Sequence, residues 1–141
     1  TSRNREWGDD MAELTGIPVA DVKEASRDML QKQLYAIFTS PVDGLGPILE
    51  RLGDHLAFQV QLEADGVLYA AGPMWTDDED AWEGDGLVVV RAGSRREAID
   101  IAERDPMHKS GARTFKVRPW MINEGSVTLR LDNSTQTFKI L

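Results

Sequence analysis

The chain has 141 residues, 41% hydrophobic and 28% charged, a composition typical of one globular domain and not of a disordered segment. Its net charge of −8 argues against general binding to nucleic acid or to anionic membranes. No cysteine is present, which excludes disulfides, thiol catalysis and cysteine-ligated metals. Because no transmembrane run and no secretory signal is visible, the expected location is cytoplasmic.

The first 32 residues are predicted to form a helical arm. Pro18 suits a first helical turn, and the apolar residues after it recur at three- and four-residue steps. These residues are Val19, Val22, Ala25 and Met29. Such a stripe needs a groove or a partner chain to cover it, so we expect the arm to serve packing and not catalysis.

Four strands and two helices are predicted after the arm. The strands are expected at residues 34–38, 67–71, 87–91 and 112–120. The first helix is predicted between Pro47 and Ala64, with Gly66 as its stop. Its apolar stripe is predicted at Ile48, Leu49, Leu52, Leu56 and Val60.

The second helix is predicted from Ser94 to just before Pro106. Ser94 and Glu97 have the spacing of a capping box, and the residue before a proline avoids helical dihedrals. A hairpin is expected at the C-terminus, with strands at residues 127–131 and 136–140.

This order predicts an α+β fold, the ferredoxin-like βαββαβ antiparallel sheet with two helices on one face. The expected domains are a helical arm at residues 1–32, a ferredoxin-like domain at residues 33–120 and a hairpin extension at residues 121–141. A single copy would leave the other face of the sheet bare. We therefore expect a homodimer, with a second copy covering that face.

His55 and Asp105 are the candidate catalytic pair. Imidazole titrates near neutrality and a carboxylate can orient it, so the two residue types often transfer protons together. At about 100° per residue, His55 lies roughly 60° from Leu52, at the margin of the apolar stripe. A histidine there could equally be a structural residue bonded to a backbone carbonyl.

Asp105 also has a structural reading, since Asp105-Pro106 could simply end a helix. A carboxylate near a helix C-terminus is electrostatically unfavourable, which hints at a tertiary purpose. Whether it orients His55 or transfers a second proton is left open. His108, the only other histidine, is expected on an irregular segment as an exposed bystander.

Four short motifs, in this order and on these elements, carry a family resemblance. They are Asp54-His55-Leu56, Ala70-Ala71-Gly72-Pro73, Asp105-Pro106-Met107 and Pro119-Trp120. Over residues 33–120 the chain resembles the YciI-like (YCII-related) proteins of the dimeric α+β barrel superfamily. The resemblance implies that His55 and Asp105 form the active site. One branch of the family resembles a dehydrochlorinase acting on a chlorinated hydroxyquinol, and muconolactone isomerases share the superfamily.

The resemblance thus implies a cofactor-independent lyase or isomerase that transfers protons on a small hydroxylated aromatic ring or lactone. Gly72, Pro73, Trp75 and Trp82 are the candidate substrate-binding residues, and Gly72 could offer a backbone amide to a developing oxyanion. The alternative is a non-catalytic module that binds a metabolite or a partner protein. A haem- or oxygen-using enzyme of the same superfamily is a third possibility.

Residues 77–85 hold six acids in nine positions. Counted from Asp78, the sixth position is Glu83 where an EF-hand requires glycine, so a solvated loop is favoured and no metal is expected. Trp75 and Trp82 bracket this loop. They suggest either a flap over an aromatic substrate or residues of a dimer interface, and both hypotheses stay open.

Overall fold

The computed structural model describes residues 14–141, which form two compact units. Lys32–Ile122 is one unit, and residues 14–31 with 123–141 form the other. In chain order the elements are α1 (Val19–Ala25), β1 (Lys32–Pro41), α2 (Gly46–Ala64), β2 (Leu68–Pro73), β3 (Gly86–Val90), α3 (Arg95–Arg104), α4 (Pro106–Lys109), β4 (Arg113–Ile122), β5 (Leu129–Asp132) and β6 (Thr137–Ile140).

The larger unit is built on an antiparallel sheet of four strands in the order β2-β3-β1-β4. Successive strand side chains point to opposite faces, so alternate residues of β1, β3 and β4 share one face and pack against α2 and α3. The buried cluster on that face contains Tyr35, Ile37, Val88, Val90, Val117, Leu62, Ala98, Ile101 and Ala102. This arrangement confirms the predicted ferredoxin-like α+β fold.

The helix boundaries follow the predicted capping chemistry. Gly66 has a φ of +74°, a left-handed conformation that suits glycine after a helix, and Pro47 lies in the first turn of α2. At the start of α3, the Ser94 hydroxyl accepts a hydrogen bond from the Glu97 amide at 3.1 Å. The Glu97 carboxylate accepts from the Gly93 amide at 2.7 Å, so the box closes one residue earlier than its usual form.

The predicted apolar stripe of α2 is confirmed at Ile48, which is buried, and at Leu52, which packs against it, but it is wrong at its other three positions. The buried residues of this helix are Ile48, His55 and Leu62, which follow a seven-residue repeat. Leu49, Leu56 and Val60, which were assigned to the core, are more than half exposed. A polar ring occupies the centre of the buried face because a buried carboxylate satisfies it, and sequence periodicity carries no sign of such a partner.

The second unit contains α1 and a two-stranded sheet of β5 and β6. Helix α1 has no buried residue and ends at Ala25, so Met29 lies beyond it. The predicted arm also includes residues 1–13, which are outside the described residues. The division at residues 32 and 120 into arm, central domain and extension stays a prediction.

None of the helices within residues 14–141 combines the length and the hydropathy needed to cross a bilayer. The cytoplasmic location stays a prediction.

Candidate active site

A cavity of about 400 Å³ lies in the larger unit, between α2 and one end of the sheet. A volume of this size is in the range of small-molecule sites. The five residues predicted for the site that line it are His55, Gly72, Pro73, Trp75 and Trp82. The sixth predicted residue, Asp105, lies behind His55 and does not line the cavity.

His55 and Asp105, 50 positions apart in sequence, are in direct contact. Nδ1 of His55 lies 2.7 Å from Oδ2 and 3.0 Å from Oδ1 of Asp105, and the two residues are only 6% and 4% exposed. An ionised carboxylate can only accept hydrogen bonds, so Nδ1 carries the hydrogen. Nε2 has no hydrogen-bond partner among the described residues. The geometry therefore leaves Nε2 as the nitrogen available to a molecule in the cavity.

Asp105 has a local role that sequence reasoning missed. It ends α3 and at once caps α4, since its Oδ1 accepts from the Met107 amide at 2.9 Å. An aspartate at a helix N-terminus is favourable, so the inference that Asp105 is misplaced for structure is wrong. The cap fixes the carboxylate, and its remaining accepting capacity is directed at His55.

His108 is neither exposed nor on an irregular segment, contrary to expectation. It lies in α4, half-buried, with its ring 4.6 Å from that of Phe115. Nδ1 is 2.6 Å from the carbonyl oxygen of Ala102, and Nε2 is 2.9 Å from Oγ1 of Thr39. Because a carbonyl only accepts, Nδ1 carries the hydrogen, and in the neutral ring Nε2 accepts from the Thr39 hydroxyl.

Burial lowers the pKa of His108, although its contact with the Ala102 carbonyl opposes the shift. The neutral ring is therefore favoured, and both of its nitrogens are already in use. Thr39 lines the cavity, and with its hydrogen donated to His108 it presents only lone pairs to a bound molecule. His108 thus makes the Thr39 hydroxyl a hydrogen-bond acceptor for a bound molecule, although His108 does not line the cavity itself.

The two tryptophans have different settings. Trp82 donates from Nε1 to the Asp85 carbonyl at 2.8 Å and packs against a buried cluster of Ile48, Met107 and Ala112. Trp75 is 60% exposed at the rim of the same cavity. Trp82 is therefore held in the wall of the cavity, whereas the Trp75 side chain is mostly exposed to solvent.

The acidic segment between the tryptophans forms an internally bonded turn. The Asp78 carboxylate accepts from the Thr76 hydroxyl and from the Asp80 amide, and the Thr76 contact is the main cause of the lowered pKa of Asp78. Within residues 14–141, no group of three or more acidic or histidine side chains is arranged to hold a metal ion. The flap and interface hypotheses for Trp75 and Trp82 both remain predictions.

Arg113, the first residue of β4, lines the cavity and was not predicted. It is only 6% exposed, and its Nε donates to the Gly84 carbonyl at 3.0 Å. Burial lowers the pKa of Arg113, against the opposing attraction of Asp105 and Asp85. A cation therefore lies in the wall of the same cavity as His55.

A family model for the YCII-related domain matches residues 34–121, from β1 to the end of β4. The chain belongs to the YCII-related domain family. No curated protein matches the chain. Among solved structures, it is similar to 5-chloro-2-hydroxyhydroquinone dehydrochlorinase of Burkholderia phenoliruptrix in complex with 2,5-dihydroxybenzoquinone. The two share 24% identity with a TM-score of 0.51, over 62% of this chain and 92% of the other.

This similarity bears on the fold alone. In the YCII-related domain described here, the short motifs contain a histidine and an aspartate that are in direct contact, and a Gly72-Pro73 segment that lines the cavity. The sequence also contained a weaker indication that Arg113 is a candidate site residue. It is two and four residues before Phe115 and Val117, so strand alternation places it on the same face as two apolar side chains. A basic residue on an inward-facing row is worth noting as a candidate site residue.

Proposed function

We propose that this YCII-related domain is a cofactor-independent lyase or isomerase that moves a proton on a small hydroxylated aromatic ring or lactone. The observation that carries the proposal is the buried His55–Asp105 pair, with the open nitrogen of His55 at the wall of a cavity lined by tryptophans. The similar structure from Burkholderia phenoliruptrix, a dehydrochlorinase with a bound quinone, supports this choice of reaction class and substrate class.

In the proposed mechanism, Nε2 of His55 takes a proton from the substrate. Asp105 holds the ring in the tautomer that leaves Nε2 free, and it stabilises the imidazolium that forms. Asp105 lies outside the cavity, which supports an orienting role over a second proton transfer. One positioned acid–base group contributes about 10²–10⁴ in rate, or roughly 3–5 kcal/mol of barrier.

Both proposed reactions balance without an oxidant. In an elimination, the ring is in a keto tautomer in which the carbon bearing chlorine is saturated. A hydroxyl proton leaves to His55, its bonding pair forms a carbonyl, the adjacent ring double bond shifts, and chloride departs with the carbon–chlorine pair. In an isomerisation, the proton removed from one carbon returns at another. Gly72, which pairs with Leu87 in the β2–β3 ladder, would form part of the wall of the site, and Trp75 and Trp82 would face the ring.

The test is anaerobic incubation with 5-chloro-2-hydroxyhydroquinone, followed by chloride release and by the absorbance of the quinone product. We expect turnover that depends on His55, with His55→Asn as the matched variant of similar volume. If His55→Asn releases chloride as fast as the wild type, the proposed mechanism fails. If the wild-type protein binds 2,5-dihydroxybenzoquinone but turns over neither this substrate nor a muconolactone, a metabolite-binding module is favoured instead.

We also propose that the chain forms a homodimer. Besides the fold, the support is the β5–β6 hairpin, whose cross-strand pairs are Leu129 with Ile140 and Leu131 with Phe138. Residues two apart on a strand share a face, so these four side chains form one apolar face, and all are largely exposed. A lone two-stranded hairpin is marginal in water, which favours cover by a second copy.

Light scattering after size exclusion tests this proposal. We expect twice the mass of the chain for the wild type and a single-chain mass for Leu131→Lys. Arg130→Ala is the control on the opposite face of the same strand, and it should remain dimeric. A single-chain mass for the wild type would overturn the proposal.

A further inference from the structure

We propose that Arg113 makes the cavity a site for organic anions, binding a carboxylate or an ionised ring hydroxyl of the substrate through its guanidinium. This inference rests on the proposed function in taking the cavity as the substrate site. It adds the charge of the ligand, which neither the fold nor the His55–Asp105 pair specifies.

The first support is a guanidinium whose two terminal nitrogens have no partner among the described residues. The Nε of Arg113 is bonded to the Gly84 carbonyl, but no described residue accepts a hydrogen bond from Nη1 or Nη2. Within the described part of the chain, no carboxylate oxygen lies within 4.0 Å of the guanidinium. Neither Nη1 nor Nη2 is a fully buried atom without a partner, so both remain accessible in the wall of the cavity. An anion in the cavity would supply the missing partner with paired, charge-assisted hydrogen bonds.

The second support is that the arginine is held in place by dedicated backbone geometry. Gly84 has a φ of +102°, and a Cβ there would lie 2.5 Å from Cγ of Pro41. Only glycine therefore allows its carbonyl to meet Nε at this point. Pro41 also pairs with Arg113 in the β1–β4 ladder, so both ends of the contact are fixed by the same strands. A guanidinium held in this way loses little freedom on binding a ligand.

The third support is open space in front of the guanidinium. Gly86 lines the cavity, and a Cβ there would lie 3.9 Å from Nη2 of Arg113 and 3.3 Å from Cγ2 of Thr39. The absence of a side chain at this position leaves room for a ligand atom beside Nη2. An anionic group there would share the cavity with His55, and a cavity of about 400 Å³ suits one substituted ring.

Overall charge does not argue against this site. The net charge of −8 repels anions at long range, but exposed charges are screened within about 8–10 Å at ordinary ionic strength. A buried guanidinium at contact distance is screened much less. We therefore expect Arg113 to determine which ligand charge the cavity prefers. The negative surface only lowers the rate at which an anion encounters the protein.

The test compares 2,5-dihydroxybenzoate with 2,5-dihydroxybenzamide, which differ in charge but hardly in shape. We expect the wild type to bind the carboxylate at least about tenfold more tightly by calorimetry, because hydrogen bonds to a charged group are the stronger kind. Arg113→Met should reduce carboxylate affinity about 10- to 100-fold and leave amide affinity unchanged. Arg113→Lys keeps the charge without the fork and should fall between the two.

Equal affinity of the wild type for the two ligands would overturn the inference, and so would an equal loss of both in a folded Arg113→Met variant. If that variant does not fold, the Nε–H resonance of Arg113 in the wild type gives the answer. It should shift on addition of the carboxylate and stay in place with the amide; a fixed resonance with both would overturn the inference.

These measurements need no turnover, so they separate the two proposals. Carboxylate preference in a protein without turnover would leave the anion site standing and reject the enzyme. Turnover without carboxylate preference would support the enzyme and reject the anion site.

Discussion

The surroundings of His55 and His108 differ in a way that sequence distance from Asp105 does not reveal. His108 is three residues from Asp105, yet its two nitrogens meet the carbonyl of Ala102 and the hydroxyl of Thr39. His55 is 50 positions away and meets the carboxylate itself, with its other nitrogen free at the cavity. Burial is common to both rings. The free nitrogen and the carboxylate partner distinguish His55, the ring that we propose to transfer a proton.

The comparison is tested most directly by matched substitutions in the proposed enzyme. His55→Asn should reduce kcat/KM about 10²–10⁴-fold, because it removes the general base. His108→Asn should reduce it by less than about tenfold, since Asn can still donate to the Ala102 carbonyl and only the contact to Thr39 is lost. Chloride release under the same anaerobic conditions measures both.

Circular dichroism and urea titration serve as controls that both variants fold. A larger loss of activity in His108→Asn than in His55→Asn would reverse the assignment of the two histidines.

Asp105 gives the next largest expected effect, because it has both a capping and an orienting contact. Asp105→Asn can still accept from the Met107 amide through its side-chain oxygen, but it offers His55 no carboxylate. We expect kcat/KM to fall about 10- to 100-fold with little change in folding. Asp105→Ala should lose about 1 kcal/mol more of unfolding free energy than Asp105→Asn, because the helix cap is lost as well.

Urea denaturation of the two Asp105 variants separates the roles. If Asp105→Asn has wild-type activity, the carboxylate serves only as a cap, and His55 becomes equivalent to His108 in lacking a functional charged partner.

The features that sequence predicted here are those with local causes. The capping pair Ser94 and Glu97, the stop at Gly66 and the proline at the start of α2 each depend on neighbours within a few residues. Alternation and order then fix the βαββαβ arrangement. The motif around His55 gave the residue but not its burial.

The features that sequence missed depend on contacts across the fold. The Thr39–His108 bond joins positions 69 apart, and the Arg113–Gly84 bond joins positions 29 apart. The buried face of α2 was misassigned because a satisfied histidine can take an apolar position. The capping role of Asp105 was not predicted because α4 is only four residues long, too short for hydrophobic periodicity to indicate where it begins. The sequence therefore predicted secondary structure better than it predicted the partners of individual side chains.

The smallest expected effect concerns the pH dependence of stability. The folded pKa of His108 is lowered by burial, whereas the unfolded chain should titrate near the ordinary value of about 6.5. The unfolded state therefore binds more protons below about pH 6.5, so unfolding free energy falls as pH drops from there towards the folded pKa. Above about pH 6.5 the ring is neutral in both states, and its contribution is fully present.

Urea denaturation between pH 7.5 and 5.5, compared with His108→Gln, isolates this contribution. Gln stays neutral throughout and can still accept from Thr39, so the variant should lose stability less steeply on acidification. The difference in slope should stay well under the limit of about 1.4 kcal/mol per pH unit for one proton, because a half-buried ring is partly screened by solvent. Parallel curves would mean that His108 is as free to take a proton as an exposed histidine, and the contrast between the two rings would then rest on the carboxylate alone.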